Sequence, residues 1–152
     1  MSKRSVEHAT FVIEREFDFP LSVVYAAWAE KNAKSRWFAT GADWKTLSHE
    51  FDYRVGGREV LKGKWGSGTR SDFAATYHDI IENSRIIYSY DMEIDGTRIS
   101  VSLGTIEFEA IGKRTKIKLT EQGAFLDGAD NVAQREAGTR ELLDAVEASL
   151  RN

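Results

Sequence analysis

The chain has 152 residues, 41% of them hydrophobic, which suits a single domain over residues 1–152 that buries roughly 68–70% of its unfolded surface. With 21 Lys and Arg against 24 Asp and Glu, the formal net charge is -3, so no strong field draws phosphate backbones or an anionic membrane surface, and nucleic acid is not expected as a partner. The absence of cysteine removes disulfides, thiolate nucleophiles and Cys-bearing zinc sites together and leans weakly toward a cytoplasmic location.

In chain order, the opening MSKRSVEHAT has a basic pair with no apolar run behind it, so neither a signal peptide nor a membrane anchor is expected. Phe11, Ile13, Phe17 and Phe19 then alternate as in a half-buried strand, with Arg15 the exception. Pro20 suits the first turn of a helix, and Val24, Trp28, Trp37 and Phe38 recur at helical spacing on either side of a break near Asn32; two short helices are predicted, about 20–29 and 31–37. From about residue 45 to 121 the pattern is that of strands, near 45–55, 58–65, 70–81, 85–93, 98–109 and 114–121. They are separated by the turn signals Gly56-Gly57, Gly66-Ser67-Gly68, Glu82-Asn83-Ser84, Asp95-Gly96 and Gly112-Lys113.

The final segment is a long helix whose stripe, Val132, Glu136, Thr139, Leu143, Val146 and Leu150, is predicted to cover the sheet, with Asp127 or Asp130 as its cap. Gly138 in mid-helix costs about 1 kcal/mol relative to alanine, which is expected where backbone or a ligand approaches closely.

This order, with FDYRVGG after the helix pair, YHDIIENSRIIYSY in the middle and TKIKLTEQGAFLDG before the last helix, resembles the START-like (SRPBCC, polyketide cyclase-like) superfamily. Within it, the chain is most similar to the branch of the heat-shock-protein-90 ATPase activator C-terminal domain. The resemblance implies an α+β helix-grip fold: a curved seven-stranded antiparallel sheet wrapped around a long C-terminal helix, with two short helices between the first and second strands. It also implies a cavity between sheet and helix, of the kind that holds small apolar molecules. It carries over no catalytic motif.

Three functions follow. The leading one is binding of a small, largely hydrophobic ligand, with no cofactor; the second is an enzyme of cyclase, dehydratase or hydrolase type using carboxylate acid/base chemistry; the third is a module binding a chaperone ATPase. Exposed strand edges leave a homodimer open.

The candidate cavity residues are Trp28, Trp37, Phe38, Phe51, Tyr53, Trp65, Phe73, Tyr77, Tyr88 and Tyr90, together with Trp44, for each of which plain core packing is the alternative. Ser100 and Ser102 are candidate hydrogen-bond donors on one strand face. Glu136, on an otherwise apolar stripe, and Glu59 are the candidate acids or bases, since a buried carboxyl must find a partner or raise its pKa. His49 shares a face with Phe51 and Tyr53, whereas His8 falls in a segment expected to fray. No histidine spacing suggests a metal site. The side on which Glu59 lies depends on the hairpin at Gly56-Gly57: a two-residue loop pairs it with Arg54, and a bulged three-residue loop places it on the face of Tyr53, Leu61 and Trp65.

Overall fold

The structure is a computed structural model and describes residues 4–38 and 40–152. Strand β1 (Val6–Phe17) is followed by helices α1 (Leu21–Ala29) and α2 (Lys31–Phe38). Six strands come next: β2 (Trp44–Phe51), β3 (Arg58–Trp65), β4 (Arg70–Ile81), β5 (Arg85–Ile94), β6 (Thr97–Ile111) and β7 (Arg114–Leu126). Helix α3 (Val132–Arg151) ends the chain. All neighbouring strands are antiparallel, in the order β1-β7-β6-β5-β4-β3-β2, so β2 to β7 form a meander and β1 adds beside the last strand. With α3 packed on the concave side, this is the α+β helix-grip architecture.

Local chemistry accounts for the turns. Asp95 and Gly96 both take positive φ (50° and 81°), as a tight two-residue hairpin requires, and Asn83 supplies φ 60° in the β4–β5 turn. Register shifts between Thr46 and Ser48, between Tyr77 and Asp79, and at Met92/Glu93 introduce irregularities that bend the strands and help the sheet curl.

The Gly56-Gly57 loop is wider than either expected hairpin, since the strand pairing ends at Phe51 opposite Glu59. Gly56 has φ 84°, and a Cβ on Gly57 would lie 2.1 Å from the Asp52 carbonyl oxygen, so the two glycines serve different needs. The loop is held by Tyr77, whose carbonyl accepts from Gly56 N and whose N–H donates to Gly57 O. The resulting parity turns Glu59 inward, where it is fully buried.

Several boundaries differ from expectation. Strand β1 begins at Val6, so His8 lies within it, paired with Ala124. Asn131, rather than Asp127 or Asp130, caps α3: its side-chain oxygen accepts from Gln134 N at 2.9 Å. Asp127 instead binds Ser5 N and Arg4, tying the start of β1 to the end of β7. Arg15, the odd member of the β1 pattern, reaches Asp144 of α3 at 2.7 Å.

The interior has two parts. A large apolar cluster, including Ile13, Phe17, Val24, Ile106, Ile117, Leu143 and Val146, packs β1, β6, β7, α1 and the later turns of α3 together. A smaller one, Leu61, Phe73, Ala75 and Tyr90, lines β3 to β5. Among the described residues, no helix is long and apolar enough to cross a membrane.

Candidate functional site

Between the smaller cluster and the early turns of α3 the helix does not close on the sheet, and a cavity of about 400 Å³ remains. All four tryptophans of the chain stand in its wall: Trp28 from α1, Trp37 from α2, Trp44 from β2 and Trp65 at the end of β3. Trp44 and Trp65 meet edge to face with centroids 4.9 Å apart. Gly63 makes this arrangement fit, because a Cβ there would come within 2.1 Å of the Trp44 ring. Phe38, Phe73, Tyr88, Tyr90, Leu61 and Met92 continue the apolar lining. Gly138 of α3 also faces the cavity, and a Cβ on it would meet nothing within 4 Å. The mid-helix glycine therefore keeps space open rather than admitting another backbone.

Two buried ionic networks stand at the cavity's borders. In the first, α2 projects Lys34 toward β3. Its Nζ lies 2.5 Å from Glu59 Oε1, which also accepts from Tyr77 OH at 2.6 Å, while His49 Nε2 lies 2.8 Å from Glu59 Oε2. The ammonium sits 4.8 Å from the Phe38 ring centroid and 5.4 Å from that of Phe51, a geometry that favours a desolvated cation. Burial alone would push the Glu59 carboxyl up, but the Lys34 charge and the hydrogen bonds from His49, Lys34 and Tyr77 outweigh it and hold the group below the usual carboxylate range. Burial and the neighbouring Glu59 push the Tyr77 phenol well up, so it stays a donor.

The second network is built on Arg135 of α3. Its guanidinium donates to Ser100 Oγ (2.7 Å), Asp130 Oδ2 (2.7 Å) and Tyr90 OH (2.9 Å), and lies 3.5 Å from Glu121 Oε2. Tyr90 OH in turn donates to Glu121 Oε2 at 2.9 Å. The small inward side chains Ser100 and Ser102 on β6 leave room for the planar head, which stacks 5.6 Å from Tyr90 and 5.5 Å from Phe125. Here burial wins: it pushes the Glu121 carboxyl above the usual range, and the Arg135 charge with the Tyr90 hydrogen bond offset only part of the rise. Glu121 Oε1 has no hydrogen-bond partner among the described residues, and none of their buried side-chain polar atoms is orphaned. This oxygen therefore keeps some exposure, and Glu121 stands in the cavity wall.

Of the residues singled out from sequence, Trp28, Trp37, Phe38, Trp44, Trp65, Phe73, Tyr88 and Tyr90 reach the cavity wall. Phe51, Tyr53 and Tyr77 lie behind it; Tyr53 OH is 2.5 Å from Tyr25 OH. Ser100 and Ser102 point inward but are spent on Arg135, and Glu59 is sealed inside its own network. Glu136 does not face the sheet: its carboxylate accepts from Arg140 one turn on, at 2.9 Å. Four residues before Thr139 the stripe runs through Arg135, not through Glu136 three residues before it, and spacing alone fits both.

Lys34, Glu121 and Arg135 were missed because charged residues read as surface. For Glu121 a signal existed, since it continues the inward alternation of Thr115, Ile117 and Leu119. Among the described residues, no three His, Asp or Glu side chains converge as metal ligands do.

Comparison with known proteins places this geometry. Residues 18–151 match the family described as Activator of Hsp90 ATPase homolog 1-like protein. A solved protein of Rhizobium leguminosarum is 43% identical over 99% of both chains, with a TM-score of 0.94. The Mll3558 protein of Rhizobium loti is 41% identical over 95% of this chain and 99% of its own, with a TM-score of 0.88. CalU16 of Micromonospora echinospora shares the fold alone, at 17% identity and TM-score 0.68 over 99% of this chain and 86% of its own. A search of curated proteins finds no match.

Proposed function

The chain belongs to the Activator of Hsp90 ATPase homolog 1-like protein family, and we propose that within that fold it binds a small, largely hydrophobic molecule in the cavity between the sheet and α3. The observation that carries this reading is the concentration of all four tryptophans on one cavity of about 400 Å³, a volume in the range of small-molecule sites. Core packing alone gives no reason for that space. A helix turn carrying Gly138 instead of a larger residue leaves it unfilled, at a helix cost of about 1 kcal/mol. Polar groups stand beside the aromatic wall, among them Ser71, Glu121, Gln134 and Arg135, and can orient a bound molecule.

The test uses N-phenyl-1-naphthylamine, an uncharged probe that brightens in apolar surroundings. The wild-type protein should bind it with a saturable fluorescence rise, and Gly138→Leu, which fills the space without displacing backbone, should lose that rise while remaining folded. Equal binding by both proteins would refute the cavity as the site.

A further inference from the structure

We propose that the cavity takes an uncharged molecule bearing a hydroxyl or similar donor and discriminates against carboxylate-bearing amphiphiles; this rests on the ligand-binding reading above. The basis is the pairing of every cation that reaches the cavity. Among the described residues these are Lys34 and Arg135. Lys34 is matched by Glu59 at 2.5 Å. Arg135 faces two acids, Asp130 at 2.7 Å and Glu121 at 3.5 Å. Among the described residues, no positive charge in the cavity wall is left over for a ligand anion.

A carboxylate entering this space has two options, and both are unfavourable. It can remain without a counter-cation, held only by neutral donors such as Ser71 and Gln134, and a charge so buried is still penalised. Otherwise it must displace Asp130 or Glu59 from its partner, leaving that acid buried and unpaired. A neutral hydroxyl meets neither penalty. Glu121 Oε1, the open oxygen of the network, accepts its hydrogen bond, and the apolar body lies against Trp28, Trp37, Phe73 and Tyr88. A protonated amine would find the same oxygen but must shed its hydration to enter an apolar space, and it would also approach the Arg135 guanidinium, which lies 3.5 Å from Glu121 Oε2.

Three probes with one apolar body separate these cases: 2-naphthol, 2-naphthoate and 2-naphthylmethylamine, titrated by calorimetry at neutral pH. The naphthol should bind tightest, with the carboxylate weaker by about tenfold or more, as like-charge juxtaposition demands. Glu121→Gln removes one acid from the cavity and should narrow the gap between naphthoate and naphthol. Asp130→Asn should narrow it too, and serves if the first variant does not fold. Naphthoate binding as tightly as naphthol, or the amine binding tightest, would overturn the proposed ligand class while the cavity reading stood. Binding by none of the three would take down both.

Discussion

Glu59 and Glu121 are both buried carboxylates hydrogen-bonded to a tyrosine and paired with a basic residue from a helix, yet their acidities are shifted in opposite directions. Glu59 has both oxygens occupied and a cation at 2.5 Å, and its carboxyl is kept below the usual range. Glu121 shares Arg135 with Asp130, keeps one oxygen free, and is pushed above that range. Burial is common to the two; the number and closeness of partners decides the sign. The first network fastens α2 to the sheet, and the second leaves an unsaturated polar edge on the cavity.

The largest expected effect comes from breaking the closed network. Glu59→Gln or Lys34→Met alone leaves one buried charge without its partner and should cost about 3–5 kcal/mol in urea unfolding, whereas the double variant recovers most of it. Glu121→Gln should cost far less, about 1 kcal/mol, since Arg135 keeps Asp130.

The two sites also predict opposite pH dependences. Glu59, lowered in the folded state, contributes stability above the ordinary carboxylate range and loses it as pH falls through the depressed folded value. Glu121, raised in the folded state, contributes fully below about pH 4.3 and loses that contribution as pH rises through the elevated value. Unfolding curves across pH should therefore show Glu59→Gln flattening the acid-side loss and Glu121→Gln flattening the decline above about pH 4.3. Identical profiles for both variants would break the comparison.

Gly138→Ala meets only open space and should stabilise the ligand-free protein by about 1 kcal/mol. Tyr25→Phe, which removes the hydroxyl contact to Tyr53, should cost about 1 kcal/mol. Arg140→Ala breaks only the exposed pair with Glu136 and should change stability by about 0.3–0.5 kcal/mol at most, with no effect on probe binding.

The fold was legible because alternation and turn chemistry leave strong local marks. Thr115, Ile117 and Leu119 announce a one-sided strand, and Asp95-Gly96 announces its hairpin. Part of the aromatic wall was legible too, from the tryptophans on the helices and strand ends, whereas Phe51, Tyr53 and Tyr77 lie behind it. The polar part was not. Whether position 135 or 136 of α3 faces the sheet is a choice between two spacings that both fit the later stripe, and Arg135 takes the inward place because Ser100, Ser102 and Tyr90 leave room and acceptors for it. Lys34 was hidden because its partner Glu59 lies in a strand whose parity depended on the loop at Gly56-Gly57.

The central claim is that the tryptophan-lined cavity is the binding site, and the four indole N–H signals of one ¹H–¹⁵N NMR spectrum report on its wall directly. Titration with N-phenyl-1-naphthylamine should shift the indole signals of Trp28, Trp37, Trp44 and Trp65 together with the Gly138 amide. Shifts confined to the outer sheet face or to the groove formed by Ser22, Ala26, Arg36 and Leu150, with the four indoles unmoved, would contradict it.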